Sequence, residues 1–161
     1  LLFMAQYTRQ DLQVLQQQEE DFKYPVFTSK EALQLGLAII EEAEKEDRGI
    51  VIRIVRESDG FVLFQYGMDD KAERNYVFAE MKRQCVLQYH HSSPWCDVAN
   101  QLGMIDVQTS GGSYPVLLQD GTCTATVSVS GLHEGKDYTV ILAALENIFH
   151  KKTVKFENEL V

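Results

Sequence analysis

The chain has 161 residues, 45% hydrophobic and 24% charged, with a formal net charge of −9. That length fits one domain spanning 1–161, able to bury roughly 70% of its unfolded surface without disulfide staples. The acidic balance argues against a nucleic-acid or anionic-membrane binder, because both use basic patches.

Cys85, Cys96 and Cys123 make an odd count with no CxxC pair, which reads as reduced thiols in a cytoplasmic protein. The opening LLFMA has no basic n-region and does not read as a signal peptide. No run approaches the ~18–20 apolar residues of a membrane span.

Thr8 to Asp21 is rich in Gln, with only Leu12, Val14 and Leu15 apolar. The spacing predicts a helix over 8–21 lying on the outside or on a neighbouring subunit. Ser29 to Asp47 is predicted as a helix in which Leu33, Leu37 and Ile40 form a stripe widened by Leu35 and Ile39. Gly36 interrupts it, which implies close approach of another backbone. The acidic run Glu41 to Asp47 reads as a solvated face.

Gly49 to Arg56 and Phe61 to Tyr66 form a predicted hairpin turned by Glu57-Ser58-Asp59-Gly60. Both faces of its first strand are largely apolar, so helices are expected on both sides. Asp69 to Ser92 then reads as a long helix with Phe78, Met81, Cys85 and Tyr89 as its buried stripe and Lys82 and Arg83 beside it. A short helix over Trp95 to Leu102 follows.

Ser110 to Leu132 supplies a second strand pair, turned at Asp120-Gly121. Thr122, Thr124, Thr126, Ser128 and Ser130 point one way and Cys123, Ala125, Val127 and Val129 the other. The hydroxyls can satisfy one another across strands or line a polar pocket. Gly135 to His150 carries a helical stripe of Tyr138, Ile141, Leu142, Leu145, Ile148 and Phe149. The tail 151–161 is expected to be ordered only by packing on a neighbour.

Cys85, His90, His91 and Cys96 spell C-x4-HH-x4-C, but helix geometry speaks against a zinc site. His90 sits about 140° and His91 about 240° around the axis from Cys85, and Cys85 falls on the apolar stripe. No metal is expected there. His90 and His91 close a helix, where imidazoles favour the dipole; they are also candidate haem-iron ligands. No GxSxG or phosphate-binding loop is present. The ends at Ser92-Ser93, at Gly111-Gly112-Ser113 and at Asp137-Tyr138 are the places where a pocket would form if these strands are neighbours.

Taken together, Tyr24 to Phe27, Leu35-Gly36, Ile50 to Ile54, Lys82 through Ser92-Ser93, Gly111 to Pro115, and Thr126 to Leu132 with Asp137 resemble the GlcG/HbpS-like haem-degrading domain family, nearest to a small branch of unknown function. The likeness runs from about Asp21 to Phe149. It implies an α/β (α+β), profilin-like fold, with a five-stranded antiparallel sheet flanked by helices. It also implies a homo-oligomer and a small-molecule ligand, haem in some relatives.

The ligand-binding candidates are Lys82, Ser92, Ser93, Gly111, Gly112, Ser113, Asp137 and Tyr138. The branch usually has His where Ser110 stands, Trp where Phe78 stands, an Arg-Lys pair where Met81-Lys82 stands, and Glu-Asp-His where this chain has Lys136-Asp137-Tyr138. Tyr138 can still donate a hydrogen bond or ligate iron as tyrosinate. The resulting expectations are haem or small-ligand binding or, alternatively, an oligomeric interaction module without catalysis.

Overall fold

The computed structural model describes residues 7–108, 112–133 and 135–155. Among them are α1 (Arg9–Asp21), α2 (Ser29–Ala43), β1 (Val51–Arg56), β2 (Val62–Gly67), α3 (Glu73–Tyr89), α4 (Ser93–Gln101), β3 (Ser113–Leu117), β4 (Cys123–Ser130) and α5 (Lys136–Phe149). The strands form one sheet in the order β2-β1-β4-β3, every pair antiparallel.

Four strands stand among the described residues where five were expected. The nearest equivalent of a fifth is a single parallel bridge from Tyr24 to Leu118. There the Tyr24 N–H donates to the Leu117 carbonyl at 2.8 Å, and its own carbonyl accepts from the Gln119 N–H at 3.0 Å. Pro25 follows at once and has no N–H with which to lengthen the pairing.

The two faces of the sheet differ in chemistry, as the alternation in β4 foretold. Ile52 and Ile54 of β1 lie opposite Val129 and Val127 of β4, and all four are fully buried in the core with α2 and α5. On the other face Arg53 pairs with Ser128 and Val55 with Thr126, and α3 covers them.

Helix rotation is where sequence periodicity misleads. The inward stripe of α2 is Ala32, Leu35, Gly36, Ile39 and Ala43, whereas Leu33 and Leu37 are 50% and 55% exposed. Gly36 fixes that rotation: a Cβ there would lie 2.4 Å from the Phe64 ring. What approaches the glycine is a side chain of β2, not a backbone.

In α3, shorter than expected at both ends, Ala79, Lys82, Cys85 and Val86 turn inward and Phe78 is 46% exposed. The sheet face beneath carries hydroxyls and charges, so polar residues of the helix gain partners by facing it.

The α1 helix is not peripheral. Leu12, Leu15, Gln18 and Glu19 are buried, and the helix packs on α4 and β3 of its own chain. The capping-box pattern of Thr8 and Asp11 sets its start, with the Thr8 N–H donating to Asp11 at 2.7 Å. The tail through 155 also packs on its own chain, contrary to expectation. Thr153 Oγ1 donates to Asp21 at 2.8 Å, the Thr153 N–H donates to Glu146 at 2.9 Å, and Gln18 Nε2 donates to the Val154 carbonyl at 2.9 Å.

Candidate functional site

The three element ends flagged in the sequence do come together, as a packed polar seam. Lys82 Nζ donates to Asp137 Oδ2 at 2.8 Å and to the Val129 carbonyl at 3.0 Å, while Asp137 Oδ1 accepts from the Leu132 N–H at 2.8 Å. Gly112 (φ 126°) sits against this pair: a Cβ would meet the Val129 oxygen at 2.6 Å and Lys82 Nζ at 3.1 Å. A bare backbone is therefore needed at this point.

Ser93 Oγ accepts from the Ser113 N–H at 2.8 Å, and Ser113 and Ser128 share a hydroxyl–hydroxyl bond. Tyr138 donates to Gln18 Oε1 at 2.8 Å; burial, and next the nearby Glu19, raise its phenol pKa. All of these side chains are buried. Ser110 and Gly111 lie outside the described residues.

Open space lies one layer away, against α1. A cleft of about 540 Å³ is walled by Gln13, Gln16, Gln17 and Glu20 on one side and by His90 and His91 on the other, with Lys23 and Leu117 at its end. His90 closes α3 in the left-handed conformation, φ 57°, a geometry that turns the chain sharply into α4. His91 Nδ1 lies 2.8 Å from Glu19 Oε2, and its ring stacks on Trp95 with centroids 4.1 Å apart.

Glu19 is 3% exposed. Its other oxygen accepts from the Ser92 N–H at 2.7 Å, at the start of α4, where the helix dipole favours a negative charge. Burial raises its pKa, while the bonds from His91 and Ser92 act the other way. A carboxylate at Nδ1 makes that nitrogen the protonated one in the neutral ring and leaves the Nε2 lone pair for a ligand.

Glu19 escaped the sequence reading. A helix dominated by Gln shows no apolar stripe that would mark an inward face. The one available signal is that Gln18-Glu19 falls one turn after Leu15 and two after Leu12, on the same side of the helix.

The cysteines and histidines of the C-x4-HH-x4-C pattern part company in space. The Cys96 thiol points at the Cys85 carbonyl, 3.9 Å away, inside the core, and its pKa is raised by the Cys85 thiol and then by burial. His90 and His91 face the cleft. No group of three or more His, Cys, Asp or Glu among the described residues is arranged to hold a metal ion. No described helix is long and apolar enough to cross a membrane.

An antiparallel sheet packed between helices places the chain among small α+β domains. Within that class the family model described as "Haem degrading protein HbpS-like" matches residues 27–146, and the chain belongs to that family.

A UPF0303 protein of Psychromonas ingrahamii is 26% identical over 148 residues, which cover 85% of this chain and 92% of that protein. Among solved structures, Ybr137w superposes with a TM-score of 0.76 at 20% identity over 87% of this chain and 90% of that one. A PduOC:heme complex superposes with a TM-score of 0.64 at 21% identity over 74% and 93%.

Proposed function

We propose that this protein binds a small ligand in the cleft between α1 and the α3–α4 turn, that haem is the first ligand to test, and that His91 Nε2 is the contacting atom. The Glu19–His91 contact carries this reading. A buried carboxylate holding Nδ1 of an imidazole at a cleft wall is the arrangement that prepares Nε2 as a ligand. Membership of the HbpS-like family and the fold likeness to a protein solved with haem support the choice of probe.

Among the residues lining the cleft, His91 would be the one to hold the iron. Lys23 would offer a cation to a ligand carboxylate, and the stems of Gln13, Gln16 and Gln17 would offer apolar surface,. When bound, haem would supply redox and oxygen chemistry. The chain's own residues would orient it: Glu19 sets the ring nitrogen, and Trp95 holds the imidazole plane. Lys82, Ser92, Ser93, Gly112, Ser113, Asp137 and Tyr138 serve behind the cleft, anchoring α4 and α5 to the sheet.

Haemin titrated into the pure protein should give a shifted Soret band that saturates, and His91→Ala should weaken binding by about tenfold or more, while His90→Ala changes it little. A spectrum no different from haemin with an unrelated acidic protein would sink the reading.

The second reading, a self-assembling module without catalysis, is favoured by Phe61, Tyr66, Val77 and Phe78, which stand 44–65% exposed. Exposed apolar surface of this kind marks association sites.

A further inference from the structure

We propose that the free edge of β2 is where two copies of this chain join, β2 pairing antiparallel with the β2 of a second copy about a two-fold axis at Gln65. The proposal rests on the reading that the protein assembles with itself, and adds which surface does so.

The sheet has two edges, β2 and β3. The β3 edge is guarded: Tyr24 bridges to Leu118 beside it, and α1 packs against the strand. Among the described residues nothing comparable pairs with the outer edge of β2. Proteins blunt an open edge with lysine, proline, inward charge or a bulge. The sequence of β2 is Val62-Leu63-Phe64-Gln65-Tyr66-Gly67, with no charge and no proline. Its one irregularity skips Leu63, beside the turn, and leaves Phe64–Gly67 in regular register.

Hydrogen-bond parity shows which groups are free. The Met68 N–H donates to the Ile50 carbonyl. Alternate residues back along the strand, Tyr66 and Phe64, therefore bond to β1, and Gln65 and Gly67 turn their N–H and C=O groups outward. Such an edge complements itself when a second copy lies antiparallel about a two-fold axis. Gln65 then faces Gln65 of the other copy, and Gly67 faces Leu63.

Charge selects the same place. Copies of a chain with net charge −9 repel one another,, and a strand without charged residues is a stretch of surface where approach costs least. Phe61 (58% exposed) and Tyr66 (44%) would lose water on pairing.

The test is charge exchange at the axis. Light scattering should find the wild type heavier than one chain. Gln65→Lys and Gln65→Glu should each weaken association about tenfold or more, because like charges then sit opposite each other, while an equimolar mixture of the two variants should recover the wild-type mass. Gln65→Pro, which removes an outward N–H and no bond to β1, should also dissociate the assembly, with circular dichroism checking that each variant is folded. If the wild type assembles and the two charged variants keep its mass, the edge is the wrong surface and self-association stands. A wild type that stays monomeric overturns both, and is also the result expected if the edge takes an extended segment of a different protein.

Discussion

The two faces of the sheet are oppositely built, and the charged one keeps more contact with water. Toward α2 and α5, Ile52, Ile54, Ala125, Val127 and Val129 are fully excluded from water and belong to the hydrophobic core cluster. Toward α3 the layer is charged: Arg53 meets Glu80 at 3.2 Å, Thr126 Oγ1 donates to Glu57 at 2.6 Å, Arg83 lies 3.6 Å from Glu57, and Lys82 meets Asp137 at 2.8 Å.

Apolar packing is non-directional and tolerates small errors of volume. In a buried polar layer each missing partner is costly. Arg53 Nε, Arg83 Nε and Glu57 Oε2 already lack a hydrogen-bond partner among the described residues. The apolar face supplies most of the stability. The polar face fixes the rotation and height of α3, and so the position of His90 and His91 at its end.

Removing one half of the Lys82–Asp137 pair should produce the largest effect. Both side chains are under 10% exposed, and Lys82→Met leaves a buried carboxylate whose remaining bond among the described residues is from the Leu132 N–H. Loss of one partner of a buried pair costs about 3–5 kcal/mol. Denaturant unfolding should show that loss, and Lys82→Met with Asp137→Asn should recover part of it by removing the stranded charge. A single variant as stable as the wild type would mean that α3 does not depend on this contact, and would erase the distinction between the faces.

The apolar face should answer more mildly. Ile54→Val removes one buried methylene opposite Val127 and should cost about 0.5–1.5 kcal/mol. The same unfolding measurement serves. If this change proved as costly as Lys82→Met, the apolar side would be the fastidious one. The cleft should be indifferent to Ile54→Val, so the haemin affinity of this variant should equal that of the wild type.

The sequence carried the apolar face more completely than the polar one. The alternation of β4 and the helical stripe of α5 were readable because a single physical preference, apolar inward, governs them. For α3 the same rule pointed to Phe78, where the buried residue is Lys82; a helix facing hydroxyls and carboxylates cannot be oriented by hydropathy. The meeting of Ser92-Ser93, Gly112-Ser113 and Asp137-Tyr138 was legible because glycines and caps mark element ends. Glu19 was not legible, since its partners, His91 and the Ser92 N–H, lie more than seventy residues away in the chain. The family likeness implied a fifth strand, and four stand among the described residues.

Acid gives the gentlest test, because two carboxylates of α1, Glu19 and Asp21, are shifted in opposite directions. Glu19 has its folded pKa raised by burial above the ordinary glutamate value of 4.5, against the pull of His91 and Ser92. Between those two values the folded state holds a proton that the unfolded state has released. The contribution of Glu19 is therefore fully present below the ordinary value and is lost as pH rises through the folded one. Asp21 runs the opposite way. Burial would raise its pKa, but bonds from Thr153, Gln17 and Lys151 outweigh that and lower it, so its contribution is lost as the solution is made acidic. The two signs oppose in the wild-type profile, and the Glu19→Gln difference isolates one of them. Measured by denaturant unfolding at a series of pH values, wild-type stability minus that of Glu19→Gln should fall as pH rises across the Glu19 window and be flat below it. A difference that instead grew with pH would mean that Glu19 is held as a carboxylate by His91 more strongly than burial opposes it.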